Sequence, residues 1–302
     1  MNLSKNSKSN IYALSAVILW STVATAFKFT LEGLNFVQLL FFSSLSSVLI
    51  LFLFAFRKNK RAVFNFFDKR YIKINLLLGF VNPFLYYLVL FKAYSLLPAQ
   101  EAQPLNYTWP IAISLFSVLF LGDKLTLKTI IGLILAFFGV FIIASRGDLF
   151  ALKFESIFGV ILAAGSSIIW ASFWILNLKD NRDSSLKLFI AFLFGTIYSF
   201  VYLILFDSFE IQNPKYLLGA VYIGLFEMGI TFFLWMNGLA LSSNKAKTST
   251  LAYLSPFISM FFIALILKEK ILPSSIIGLI FIVSGIIYQN LNKLKRSNRI
   301  KE

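Results

Sequence analysis

The chain has 302 residues, 59% hydrophobic and 14% charged, which excludes a soluble globular domain and fits a polytopic helical membrane protein. A formal net charge of +15 does not point to nucleic acid, because the Lys and Arg residues lie between apolar runs and not on one gathered surface. With no Cys and no His, thiol nucleophiles, imidazole bases, disulfides and the usual zinc and haem ligands are excluded, and neither a metal nor another cofactor is expected.

Crossing roughly 30 Å of hydrocarbon takes about 20 apolar residues in a helix. In chain order, such runs predict helices near 11–30, 36–56, 72–96, 99–121, 127–145, 156–178, 186–206, 216–240, 246–267 and 274–292. The first follows Lys5 and Lys8 and contains Ala24-Thr25-Ala26, a pattern shared with cleaved secretory leaders. It is read as a structural span, because a similar segment returns halfway along the chain. Placing both termini in the cytoplasm puts 21 of the 28 Lys and Arg residues on inside segments and 7 outside. Positive-inside bias selects that orientation in the cytoplasmic (inner) membrane.

Motifs recur at a nearly fixed offset. Tyr107-Thr-Trp-Pro110, Leu121-Gly-Asp-Lys124, Gly132 and Gly139 lie 146 residues before Tyr253-Leu-Ser-Pro256, Leu267-Lys-Glu-Lys270, Gly278 and Gly285. Gly79 and Gly224 are 145 apart, and Trp20-Ser-Thr22 precedes Trp170-Ala-Ser172 by 150. This kept order predicts a duplication, residues 1–146 and 147–302, within one integral membrane domain. Because five is odd, the second half enters from the opposite side. The expected fold class is therefore all-α and polytopic, with ten transmembrane helices as two inverted five-helix repeats.

Each half has a fourth helix with a central Pro (Pro110, Pro256), an acidic residue beside Lys in the next turn (Asp123-Lys124, Glu269-Lys270) and a Gly-rich fifth helix. In these features, and in GLFEMGITFFLW and LALSSNKAKTSTLAYLSPF of the second half, nearly the whole chain resembles the drug/metabolite transporter (DMT) superfamily, specifically the EamA-type permeases. The first half departs from that pattern with Asp123, where Glu is commoner, and with an extra Pro104. The resemblance implies a permease for small organic metabolites. It also implies that the first, third and fourth helices of each half surround a central cavity, with the fifth helices outside.

Glu227 sits inside the apolar run GLFEMGITFFLW. An ionised side chain at a helix centre costs about 2.5 to 3.5 kcal/mol on insertion scales, so it is expected to face the bundle, water or a partner. Thr231, one turn on, extends that face, and Gly224, one turn back, permits close approach. Three roles stay open: attraction of an amino-bearing substrate, uptake and release of a proton during transport, or a hydrogen-bonded lock between helices. At the matching place stands Asn82, next to the helix-kinking Pro83 and one turn before Tyr86, as a binding group or an interhelical hydrogen bond.

Gln103, Asn106, Tyr107, Pro110, Ser114 and Ser117 form one polar stripe at helical spacing, with Ser249, Tyr253 and Pro256 as its thinner counterpart. Ser114 and Ser117 are read as packing sites, Tyr107 and Tyr253 as the better binding candidates. Trp20 and Trp170 are matched and lie deep in their spans, as walls of an aromatic box for an amine or as bulky packing. Lys28 and Glu32 are expected to pair near the outer surface, Glu101 is read as interfacial, and the acidic turns as organisers of helix ends. The basic run from Arg57 to Lys73, interrupted by Phe64, Phe66 and Phe67, is expected on anionic lipid headgroups.

These readings favour a secondary transporter working by alternating access, with a small polar metabolite, an amino acid or an amine, held near the midplane. No GxxxxGK[ST] loop is present, so energy is expected from a proton, sodium or substrate gradient. A channel or lipid flippase is the competing reading. An intramembrane enzyme lacks a concentrated catalytic set.

Overall fold

The computed structural model describes residues 4–64, 68–121, 126–148, 155–177, 180–243 and 248–299, which are helix and turn with no strand among them. The predicted turn Asp123-Lys124, the aromatic residues Phe66 and Phe67, and Lys153, Lys179, Lys245, Lys247 and Lys301 lie outside the described residues.

Helix α1 (Lys5–Thr30) begins where the Ser4 side chain accepts the Ser7 amide, and α2 (Phe36–Lys58) opens on a reciprocal capping box of Asn35 and Gln38. The predicted 72–96 helix is divided into α3 (Ile72–Gly79), a π-helical segment (Phe80–Leu85) and α4 (Tyr86–Leu96). Asn82 leaves the helical region, at φ −150° and ψ 124°, as a residue before proline tends to do. The 99–121 interval divides into α5 (Ala99–Asn106) and α6 (Trp109–Leu121), because Pro110 has no N–H to give the Asn106 carbonyl.

After these come α7 (Leu127–Ala144), capped by Thr126, α8 (Ile157–Asn177), and α9 (Ser184–Phe206), capped by Asp183. The 216–240 interval becomes α10 (Lys215–Phe226) and α11 (Ile230–Leu241), with a turn at 227–229. The Thr231 hydroxyl donates to the Phe226 carbonyl freed there. A 3-10 turn (Thr250–Leu254) leads into α12 (Ser255–Ile266), with Pro256 in its first turn, and α13 (Pro273–Arg299) closes the chain described.

Among the described residues, seven stretches are long and apolar enough to cross a membrane: Ser7–Thr30, Phe36–Lys58, Ile72–Leu96, Leu127–Ala144, Ile157–Asn177, Ser184–Phe206 and Lys215–Leu241. Thr250–Ile266 and Pro273–Gln289 are shorter apolar helices. Large side chains such as Phe137 and Leu218 stay 76% and 74% exposed, a surface suited to lipid and not to water. This is a polytopic helical membrane protein.

Helix α7 lies along α13 at backbone contact. A Cβ on Gly132 would fall 2.7 Å from the Gly285 carbonyl oxygen, and one on Gly285 would fall 2.5 Å from that of Gly132. Gly139 and Gly278 repeat the reciprocal relation at 2.5 and 2.6 Å. No described residue of α7 or α13 lines the central hollow, which α1, α4, α5, α6, α8 and α11 surround.

Candidate functional site

At the centre lies a cavity of about 90 Å³. Helix α1 lines it with Trp20, Val23, Ala24 and Phe27, and α4 with Tyr86, Leu90 and Tyr94, residues that recur every three or four positions on one face. The broken fourth helix brings Gln103, Asn106, Tyr107 and Trp109. The second half brings Trp170 and Trp174 from α8, Glu227 from the break, Phe232 and Trp235 from α11, and Ala252. The sequence contains 5 Trp, and every one of them faces this hollow.

The rings form a continuous wall. Trp20 meets Trp235 at 5.3 Å and Phe232 at 6.0 Å; Phe232 meets Trp170 at 5.7 Å, and Trp170 meets Tyr86 at 4.7 Å. Trp20 and Trp170 thus both contact the same phenylalanine. Offset and edge-to-face contacts at these distances stabilise the wall beyond simple burial.

Glu227 is half-buried, and its carboxylate accepts the Tyr87 hydroxyl at 3.0 Å. A carboxylate has about four acceptor positions, so this single bond leaves it able to receive more donors. Nearby, the Tyr86 hydroxyl donates to Asn106 Oδ1 at 3.3 Å, and Asn106 Nδ2 donates to Ser166 Oγ at 2.8 Å. Gln103 Oε1 is buried without a hydrogen-bond partner. Among the described residues no Lys or Arg lines the hollow, and Glu227 is its one ionisable acid or base outside the phenols. The site is acidic and aromatic, suited to an ammonium group beside a flat apolar body.

Six of the nine residues singled out from sequence line the cavity: Trp20, Tyr86, Asn106, Tyr107, Trp170 and Glu227. Asn82, Thr231 and Tyr253 do not. Asn82 is fully buried at the α3–α4 break, with Nδ2 and Oδ1 unpartnered. Thr231 turns back onto its own chain at Phe226, and Tyr253 packs against Met260, Leu279 and Val283. Tyr87, Trp109, Trp174, Phe232 and Trp235 were not singled out. A signal existed for two of them: Trp174 is one turn beyond Trp170, and Trp235 one turn beyond Thr231.

Beyond Phe27 and Tyr94 the bundle is tied by polar contacts. Lys28 does not pair with Glu32; its ammonium donates to the Tyr94 and Leu97 carbonyls at 3.0 Å each, the open carbonyl end of α4. Glu101 is buried, not interfacial, and its carboxylate stands 2.9 Å from Arg146 Nε. Glu269 does organise a helix end, that of α5, by accepting the Ala99 and Gln100 amides at 3.0 and 3.3 Å. Gln100 joins the same connection, donating to the Lys270 carbonyl and accepting from Leu272 N and Ser275 Oγ.

A membrane protein with helices broken around a central acidic hollow has the build of a carrier for small solutes. Residues 7–145 and 157–291 match the EamA-like transporter family, and the chain belongs to that family. It is similar to an uncharacterized transporter, YvbV, of Bacillus subtilis, 27% identical over 72% of this chain and 71% of that one. It is also similar to the aromatic amino acid exporter YddG of Escherichia coli, at 25% identity over 92% and 95% of the two chains. The YddG of Ancylobacter novellus is 26% identical over 60% and 63%. A solved protein crystal structure, 21% identical, superposes with a TM-score of 0.68 over 98% of this chain and 99% of that one, a likeness of fold. The family and these relatives are transporters, not enzymes.

Proposed function

We propose that the chain is a secondary transporter for a small amine-bearing solute with an apolar, flat body, an aromatic amine or an aromatic amino acid. The observation that carries this reading is the convergence of all five tryptophans on the one carboxylate of the cavity. Cation–π attraction is on the order of 2 kcal/mol when desolvated, and Glu227 adds a charge for the ammonium to meet. Relatives named as aromatic amino acid exporters support the aromatic part of the reading. An amino acid also brings a carboxylate, for which Gln103, Asn106 and Tyr107 are the available donors.

The transporter works by alternating access between two inverted halves, with ten transmembrane helices and both termini in the cytoplasm. Support comes from the family's match to two consecutive segments, 7–145 and 157–291. It comes also from helix interruptions at matched places, Asn82 with Glu227 and Tyr107 with Tyr253–Leu254. The reciprocal glycine contacts of α7 and α13 have the pattern a two-fold axis imposes. At about 90 Å³ the hollow is smaller than the ~150 Å³ that admits benzene, so taking up a metabolite requires the halves to move apart. A proton or sodium gradient supplies the coupling, with Glu227 as the group that exchanges solute for ion.

Purified protein in sealed vesicles tests this. Saturable uptake of radiolabelled phenethylamine or phenylalanine, lost in Glu227→Gln, is expected; equal uptake by Glu227→Gln, or leak without saturation, refutes it.

A further inference from the structure

A second hollow, about 680 Å³, lies between α2, α9 and α11 at the end of the bundle that carries Arg57, Lys58 and Arg182. Its lining is graded along α2 and α9, and on α11 one amide interrupts an apolar row that continues to Ala240. On α2, Leu51 and Phe54 precede Arg57 and Lys58; on α9, Leu188 lies one turn inside Ser184 and Ser185; on α11, Phe233 and Met236 precede Asn237. Phe54 and Phe233 stack at 4.5 Å, forming an apolar floor. On α2 and α9 the polar groups therefore lie at the helix ends and the apolar ones towards the bilayer centre.

The charges at the rim are unevenly spent. Asp183 forms an ion pair with Lys58 and accepts the Ser185 and Leu186 amides. Arg57 has no ion pair or hydrogen bond among the described residues, so one cation is left over at the rim of a groove that Ser184 and Ser185 also line. A guanidinium fork and serine hydroxyls are donors suited to a phosphate, and the apolar floor matches an acyl chain.

We infer that this groove binds an anionic phospholipid of the adjoining leaflet, its phosphate at Arg57, Ser184 and Ser185 and an acyl chain over Phe54, Phe233 and Met236. Free phosphate would leave that floor wet. The site is separate from the central cavity, since α11 turns Phe232 and Trp235 one way and Phe233 and Met236 the other.

Native mass spectrometry of the full chain, released from detergent containing equal phosphatidylglycerol and phosphatidylcholine of matched chains, tests the inference. Wild type is expected to retain phosphatidylglycerol preferentially, and Arg57→Gln to lose roughly fivefold of that preference, the scale of one basic residue at a membrane surface. Ser184→Glu is expected to expel the lipid while keeping the fold, since an acidic residue suits the first turn of α9. Arg70→Gln, which removes an exposed cation outside the groove, is expected to behave as wild type. Equal retention of both lipids by wild type, an equal loss in Arg70→Gln, or displacement of phosphatidylglycerol by inorganic phosphate alone would overturn it.

Discussion

Tyr87 gives its hydroxyl to Glu227 across 3.0 Å, joining the first turn of α4 to the break between α10 and α11. A hydrogen bond to a charged group contributes about 1.5 to 3 kcal/mol, and Tyr87 is fully buried. Tyr87→Phe is therefore expected to lower the unfolding temperature in detergent. Glu227→Gln keeps an acceptor for Tyr87 and is expected to stay folded while losing amine uptake. Equal unfolding temperatures for wild type and Tyr87→Phe would show the bond to be dispensable.

Trp20 and Trp170 both contact the Phe232 ring. Replacing Trp170 by Leu removes a ring face on the order of 2 kcal/mol for a bound cation, about thirtyfold in Kd. Calorimetric titration with phenethylamine should show that loss, with Trp170→Phe intermediate. A neutral aromatic alcohol should lose much less.

The α7–α13 crossing has no room for a methyl group at Gly132 or Gly278, where a Cβ would meet backbone at 2.7 and 2.6 Å. Gly132→Ala and Gly278→Ala are each expected to cost about 1 to 3 kcal/mol, the range for overpacking. Gly165, with nothing within 4 Å, is the control, and Gly165→Ala should be neutral or stabilising. Thermal unfolding of the three variants decides the matter.

At the opposite end from Glu101, burial pushes the Asp180 carboxyl up, but hydrogen bonds and charge from Arg182 outweigh it and hold the group below the usual carboxylate range. Arg182 also donates to Asn75 Oδ1 at 2.5 Å and lies 4.4 Å over the Tyr71 ring, tying the 180–183 connection to α3. With the folded value depressed, Asp180 contributes stability above its unfolded pKa of about 3.9, lost only as pH falls through the lower folded value. Asp180→Asn should therefore unfold earlier than wild type at pH 7, and the gap should begin to narrow only below about pH 4 and go on narrowing as the pH falls further. A gap that stayed constant between about pH 5 and pH 2 would assign the effect to something other than the ionised carboxylate.

Hydropathy alone located the helical intervals, because about twenty apolar residues between charged breaks leave little else to form in a bilayer. The interruptions were less legible. Pro83 announced a kink, yet the turn at 227–229 depends on Thr231 reclaiming the Phe226 carbonyl, a contact that residue spacing does not specify. The break also resets helical phase, so counting turns from Asn82 reached Tyr86 but not Tyr87, and Asn82 itself turned away from the hollow. Lys28 had two candidate partners, a carboxylate one turn away and the end of a helix distant in sequence, and only the fold brings the second within reach. Glu101 carried an expectation from its place at a helix start, where its actual partner, Arg146, comes from the far end of α7.

Because all five tryptophans line the central cavity, intrinsic tryptophan fluorescence reports on it alone, and a titration of the purified full chain with phenethylamine is the most direct measurement. A saturable change in emission is predicted, with a midpoint matching half-maximal uptake in vesicles, and it should vanish in Glu227→Gln with all five tryptophans retained. Saturable uptake without any change in emission, or an unchanged titration in Glu227→Gln, would contradict it.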